Sequence, residues 1–102
     1  MRAYPRVAQT HLAYLLTLDG RGRHGRSIDL GVRGVGLELS DPVEQNAPCN
    51  ISLSLGGEIV ELAARVVRCR PLGEGYDVGC ALAAPSRAYL RALGQLFADA
   101  MS

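Results

Sequence analysis

The sequence predicts an all-β protein, a small barrel of six antiparallel strands followed by one C-terminal α-helix. Apolar and polar residues alternate in several short runs, of which residues 51–55 are the clearest example. Glycine-containing turns separate these runs, at 19–22, 56–57 and 71–75. After residue 85 the apolar spacing becomes helical. Closure of the strands into a barrel would leave no exposed edge strand, so we expect a closed sheet.

The first two strands are expected to form a hairpin. Residues 1–6 form an extended N-terminal arm, because Pro5 disfavours helix in the residue before it. The first strand spans 7–18, and the turn at 19–22 returns the chain as a second strand over 23–30. Period-two spacing places four residues of the first strand on one face: Leu12, Tyr14, Leu16 and Leu18.

Four further strands and a helix complete the prediction. The strands lie near 35–39, 51–55, 60–66 and 76–82, each with an apolar residue at every second position. Ser86 is a suitable N-cap for the helix that follows. Apolar residues then recur at helical spacing: Tyr89, Leu90, Leu93, Leu96, Phe97, Ala100 and Met101. The arm (1–6), the barrel (7–84) and the helix (86–101) make one domain, 1–102.

Composition limits the classes of function. At 102 residues the chain has room for one modest core. Residues 1–33 carry six Arg against two acids, and the remainder carries five Arg against eight acids. This imbalance favours a small anionic ligand near the N-terminal part, and it disfavours a nucleic acid polymer, which needs a broad basic surface. No apolar run is long enough for membrane insertion, and a cytoplasmic location is expected.

The cysteines do not indicate a metal site. Cys49, Cys69 and Cys80 form an odd set without a Cys-x-x-Cys pair. Reduced, buried thiols are the favoured interpretation for a cytoplasmic protein, and a disulfide between Cys69 and Cys80 on adjacent strands is the alternative. No metal and no cofactor are expected.

A glycine-containing bend is the strongest candidate for a binding site. Asp29 ends a strand-like run, and Gly31 and Gly34 follow it. Glycines let the backbone approach a ligand closely and permit dihedral angles that a side chain forbids. A carboxylate there can accept paired N–H donors, such as those on the edge of guanine. Far upstream, Arg2 and Arg6 supply two guanidinium groups.

The order and spacing of these residues resemble the PilZ domain family, the bacterial receptors for cyclic di-GMP. That family has Arg-x-x-x-Arg, followed by Asp/Asn-x-Ser-x-x-Gly. Arg2 and Arg6 match the first motif, Asp29 and Gly34 match the ends of the second, and Gly31 stands where the family has Ser. The family also has the barrel-and-helix architecture. Without the resemblance, the same residues would be a solvated terminus and a β-bulge.

The resemblance implies a non-enzymatic receptor for second-messenger signalling. The two arginines would clamp cyclic di-GMP, Asp29 would accept guanine N–H groups, and the bend would admit the ligand backbone. Ordering of the arm would then signal to a protein partner or a neighbouring domain. Five further arginines are candidates for added contacts, with Arg33 inside the bend preferred: Arg26, Arg33, Arg65, Arg68 and Arg70.

Three other classes of function are alternatives to a receptor. The missing serine hydroxyl at Gly31 removes a hydrogen bond of roughly 1.5–3 kcal/mol, so a PilZ-like adaptor that no longer binds nucleotide is the second hypothesis. A nucleic-acid-binding OB barrel needs aromatic platforms, and the chain has four Tyr, one Phe and no Trp. An enzyme is disfavoured because no nucleophile–base pair or paired carboxylates can be placed together.

Overall fold

A computed structural model describes the backbone of Arg6–Val7 and all of residues 9–101. Within these residues, seven strands and one helix follow each other along the chain. They are β1 (Arg6–Val7), β2 (Leu12–Thr17), β3 (Gly22–Gly31), β4 (Gly34–Leu39), β5 (Pro48–Leu55), β6 (Glu58–Leu72), β7 (Gly75–Leu82) and α1 (Arg87–Met101).

Six of the strands close into an antiparallel barrel. The order around the barrel is β3, β2, β5, β6, β7 and β4, and the pairing of β3 with β4 completes the circle. The two-residue strand β1 pairs with the far end of β3, beyond the part of β3 that pairs with β2. The predicted six-stranded barrel with one C-terminal helix is therefore confirmed, and β1 extends it at one end.

The barrel interior is packed with aliphatic side chains from every long strand. Burial alternates along β5 and β6 as the period-two pattern predicted. The four residues predicted to share one face of the first strand do share it, but that face is on the outside of the barrel. Ala13 and Leu15 are buried, whereas Leu12 is 75% exposed and Leu18 is 85% exposed. The alternation in β2 could not distinguish its two faces, because apolar residues occupy both.

The helix α1 is anchored to the barrel near β1 and β6. It begins where predicted, since the Ser86 hydroxyl accepts a hydrogen bond from the Tyr89 backbone N–H at 3.1 Å. Tyr89 and Leu93 are buried against the barrel. In the part of the chain that the structure describes, no helix has the length and apolar character needed to cross a bilayer.

Candidate functional site

Small residues form a trough on the outer surface of the barrel along β4 and β7. Gly36 of β4 is paired directly with Gly79 of β7, and Gly34 is paired with Ala81. These four positions share one face of the sheet, because residues two apart on a strand point the same way. We call this surface the glycine trough. Gly36 and Gly79 are both buried, and the absence of side chains at these positions leaves room for neighbouring side chains to lie close to the main chain.

Asp29 forms one wall of the trough. It lies on β3 opposite Gly36, and a β-carbon placed on Gly36 would be only 2.6 Å from its Oδ1 atom. A register shift between Ser27 and Asp29 interrupts the pairing of β3 with β4. Such a bulge changes the direction of a side chain. It places Asp29 opposite outward-facing Gly36, whereas Ser27 is buried.

Arg68 forms the opposite wall. It lies on β6 opposite Gly79, and its Cζ, Nη1 and Nη2 atoms are 2.9–3.0 Å from the position of a β-carbon on Gly79. A register shift between Val66 and Arg68 precedes it, as on β3. Val66 is buried, while the Arg68 side chain is 43% exposed. A carboxylate and a guanidinium thus face each other across two glycines, each immediately after a bulge.

A row of charged side chains closes one end of the trough. Arg26 donates to Glu38 Oε1 from Nε at 2.8 Å, and Glu38 is paired across β4 and β7 with Asp77. Asp77 accepts hydrogen bonds from Arg68 at 3.2 Å and Arg70 at 3.1 Å. Burial raises the pKa of Asp77, but the hydrogen bonds from Arg68 and Arg70 outweigh it and keep this pKa below its ordinary value of 3.8.

The N-terminal segment passes the other end of the trough. The Cα of Arg6 is paired with Gly31 and that of Val7 with Leu30. Ser27, which is 1% exposed, fixes the segment that follows. Its hydroxyl donates to the Gln9 carbonyl at 2.7 Å and accepts from the His11 N–H at 2.9 Å. The backbone of Arg6, the last residue of the first motif, is therefore held against the bend that carries the second motif.

Helix α1 supports the bend from the other direction. The hydroxyl of Tyr89 donates a hydrogen bond to the carbonyl of Gly31 at 2.6 Å. Tyr89 is fully buried, so this bond satisfies a carbonyl that water cannot reach. Gly31 is consequently the point where β1, β3 and the helix meet.

The structure brings most of the predicted site residues together. Asp29, Gly31 and Gly34 lie along the bend, and exposed Arg33 lies inside it, where its carbonyl accepts from the Leu82 N–H at 3.0 Å. Arg6 contributes its described backbone beside Gly31. The prediction for Arg2 lies outside the described residues.

The expected backbone role of the two bend glycines requires a correction. The described glycines with positive φ are Gly20, Gly56, Gly57 and Gly73, all in turns between strands. Gly31 and Gly34 do not share that conformation. Gly31 is buried, and Gly34 lies in the trough. Left-handed dihedral angles therefore do not account for glycine at these two positions, and close approach of the main chain remains their expected role.

Sequence reasoning missed four contributors to this site: Gly36, Gly79, Ser27 and Tyr89. Arg68 was one of five arginines that the alternation could not rank. Each of the two trough glycines lies inside a strand, which is a sequence signal for close backbone approach. Among the described residues, no group of three or more His, Cys, Asp and Glu side chains could hold a metal ion.

Comparisons with known proteins agree with this architecture. The sequence profile of the PilZ domain matches residues 1–99. No curated protein matches the chain. Among solved structures, YcgR from Escherichia coli in complex with c-di-GMP has a TM-score of 0.79 and 15% identity, over 98% of this chain and 46% of that chain.

Two other solved structures show the same fold. The Bacillus subtilis inhibitor of motility MotI/DgrA has a TM-score of 0.76 and 12% identity, over 99% of this chain and 52% of that chain. The PilZ domain of CeSA from a cellulose-synthesizing bacterium has a TM-score of 0.70 and 22% identity, over 96% and 99%. The chain thus spans about half the length of YcgR and MotI/DgrA and nearly all of the CeSA domain.

Proposed function

This chain belongs to the PilZ domain family, and from that membership we propose that it is a cytoplasmic, non-enzymatic receptor for cyclic di-GMP. The observation that carries the proposal is the row Asp29, Gly36, Gly79, Arg68, which crosses four neighbouring strands. It combines a carboxylate and a guanidinium, each of which lies over a buried glycine. Solved structures with this fold contain c-di-GMP, among them those of YcgR and of K. pneumonia MrkH.

Each wall of the trough suits a different part of the nucleotide. The Asp29 carboxylate accepts the N–H donors of a guanine edge. Arg68 offers a flat cation on which a base can stack and which can also pair with phosphate oxygens. Arg2 and Arg6 close over the ligand from the N-terminal side, and Arg33 adds positive charge at the bend. Together these arginines counter the two negative charges of the ligand.

The N-terminal arm transmits the binding event in this proposal. Ligand contacts to Arg2 and Arg6 favour the state in which the arm lies against the bend. The pairing of Arg6 with Gly31 supports this route, since it already attaches the end of the arm to β3. The surface that the ordered arm creates would then bind a protein partner or a neighbouring domain.

A calorimetric titration of cyclic di-GMP tests the receptor proposal. Arg6→Ala should weaken binding by about 2–5 kcal/mol, the cost of removing one partner from a hydrogen-bonded charge pair. Arg21→Ala is a matched control, because exposed Arg21 lies at the opposite end of β3 and its loss changes the net charge equally. Equal affinities for the two variants would reject the proposed clamp.

One observation favours a second candidate function. Gly31 replaces the serine of the motif, and loss of that hydroxyl would weaken binding by about tenfold to a hundredfold. A further decline would leave an adaptor that acts by protein contact alone. Under that function, high concentrations of cyclic di-GMP would change neither the heat of titration nor the melting temperature of the protein.

A further inference from the structure

Asp77 contacts the glycine trough through Arg68, which forms one of the two walls. The residue lies on β7, two positions before Gly79, and its side chain is 19% exposed. Its Oδ1 accepts from Arg68 Nη2 at 3.2 Å, and its Oδ2 accepts from Arg70 Nη2 at 3.1 Å. Both carboxylate oxygens therefore hold arginines of the neighbouring strand β6.

The position of the Arg68 guanidinium depends on this contact. Its Cζ, Nη1 and Nη2 atoms are nearly equidistant from the β-carbon position of Gly79, at 2.9, 2.9 and 3.0 Å. That geometry means one flat face covers the glycine. The side chain is 43% exposed, and a long arginine side chain is mobile unless its end is held. Among the described residues, Asp77 is the carboxylate that holds that end by a salt bridge.

We propose that Asp77 is a positioning residue, which holds Arg68 flat on Gly79 and so prepares the trough for the base of the bound nucleotide. The inference rests on the proposed function and extends it to a residue outside both sequence motifs. Preorganisation strengthens binding because the ligand need not fix a mobile side chain when it binds.

Charge and positioning predict opposite changes in ligand affinity when Asp77 is removed. Asp77 is a negative charge close to a site for a dianionic ligand, so its removal should strengthen binding if charge were all that mattered. Loss of positioning should weaken binding. The sign of the change therefore separates the two explanations.

The test is calorimetric titration of cyclic di-GMP into the wild type, Asp77→Asn and Glu38→Gln. We expect Asp77→Asn to weaken binding by about tenfold, the equivalent of one charge-assisted hydrogen bond. Glu38→Gln is the matched control, since Glu38 is paired with Asp77 across β4 and β7 and forms its salt bridge with Arg26 instead of Arg68. It removes the same charge, and we expect slightly tighter binding.

A double-mutant cycle shows whether Asp77 acts through Arg68. In an Arg68→Ala background, Asp77→Asn should cause no further weakening. Asp77→Glu keeps the charge and should retain more affinity than Asp77→Asn, so it provides a second variant should the first fold poorly; circular dichroism and melting curves check folding.

The outcomes distinguish this inference from the receptor proposal. Wild-type binding with unchanged or tighter binding by Asp77→Asn would overturn the positioning role alone. Additive losses in the double mutant would also overturn it. No binding by the wild type would overturn both the receptor function and the role of Asp77.

Discussion

Gly36 and Gly79 give the site its shape by the absence of side chains. A β-carbon on either residue would collide with the end of a wall side chain, Asp29 or Arg68, rather than with the backbone. Such ends can rotate away at little cost in folding free energy. The two glycines are therefore more important for the recognition surface than for the stability of the barrel.

Gly36→Ala should separate binding from folding. Its methyl group would displace the Asp29 carboxylate, so affinity for cyclic di-GMP should fall about tenfold or more, as expected for loss of a charged hydrogen-bond acceptor. The melting temperature should change little. Gly94→Ala is the control, because no atom lies within 4 Å of its β-carbon position and helix propensity predicts a gain of about 0.5–1 kcal/mol. Unchanged affinity in Gly36→Ala would contradict the trough.

Tyr89→Phe should destabilise the protein by removing one hydroxyl group and its hydrogen bond. The variant leaves the buried carbonyl of Gly31 without the hydroxyl donor at 2.6 Å, a loss of about 1–3 kcal/mol in the free energy of unfolding. Tyr76→Phe, at a half-buried position, should cost less. Urea denaturation monitored by circular dichroism measures both values. Equal values for the two variants would argue against a special role for Tyr89.

Sequence reasoning identified one wall of the site and could not identify the other. Asp29 was visible because a known motif surrounds it. Arg68 was hidden because strict alternation places it on the same face as Val66, which is buried. The bulge between them reverses that assignment. An extra residue in a ladder leaves no distinct mark in amino-acid type, so the arginines of β6 could not be ranked.

At the scale of elements, the short segment between β1 and β2 is held by hydrogen bonds between the Ser27 side chain and its backbone. Both bonds of the Ser27 hydroxyl reach that segment, at Gln9 and His11. The prediction of a continuous strand over 7–18 missed this break, although three consecutive polar residues, Gln9, Thr10 and His11, interrupt the apolar alternation there. Ser27 thus holds the chain that leads from β1 into β2.

Ser27→Ala should weaken both stability and ligand binding. Two half-buried main-chain groups, the Gln9 carbonyl and the His11 N–H, lose their partner, which should lower the free energy of unfolding by about 1–3 kcal/mol. Hydrogen exchange at residues 9–11 should accelerate, and affinity for cyclic di-GMP should fall because the ligand must then order this segment. Ser52→Ala on β5 is the control, with an expected change within about 0.5 kcal/mol. Slow exchange retained in Ser27→Ala would contradict the assignment.

The β6–β7 hairpin should carry a pH-dependent share of the stability. Hydrogen bonds from Arg68 and Arg70 outweigh the effect of burial and lower the pKa of Asp77 from 3.8. A lowered carboxyl pKa contributes stability that is present above the unfolded value and is lost as pH falls through the folded value.

Denaturation of the wild type and Asp77→Asn between pH 7 and pH 3 measures this contribution. The wild type should be the more stable protein at pH 7, and the difference should shrink as pH falls below about 4, the range in which a free carboxyl is protonated. A difference that stays constant over this range would show that Asp77 contributes through packing instead of charge.

At the scale of the whole molecule, the barrel was predictable because several independent signals agreed. Alternating apolar residues, glycine turns and a change to helical spacing specify strands and a helix separately, and closure follows from the need to protect strand edges. The orientation of β2 was not predictable, since it is apolar on both faces. The resolution of that ambiguity requires the neighbouring strands, which contribute side chains to only one side of the sheet.

The thiols should report whether the barrel is closed. Cys49 and Cys80 are buried, whereas Cys69 is half-buried, and all three are free. A hydrogen bond with Cys49 and burial raise the pKa of the Cys80 thiol, which keeps it in the unreactive protonated form. In the folded protein a thiol reagent should modify Cys69 first, and denaturant should expose the other two. Cys69→Ser should remove the early phase, and rapid reaction of all three thiols would contradict a closed core.

The two glycines of the trough, Gly36 and Gly79, also bear on how such a receptor could lose ligand binding during evolution. One base change in a glycine codon introduces alanine, so recognition can end in a single mutation while the barrel remains intact. Descendants of that kind would keep Arg2, Arg6 and Asp29, and a survey of motifs alone would still count them as sensors. The residue types at positions 36 and 79 would identify the descendants that no longer bind the ligand.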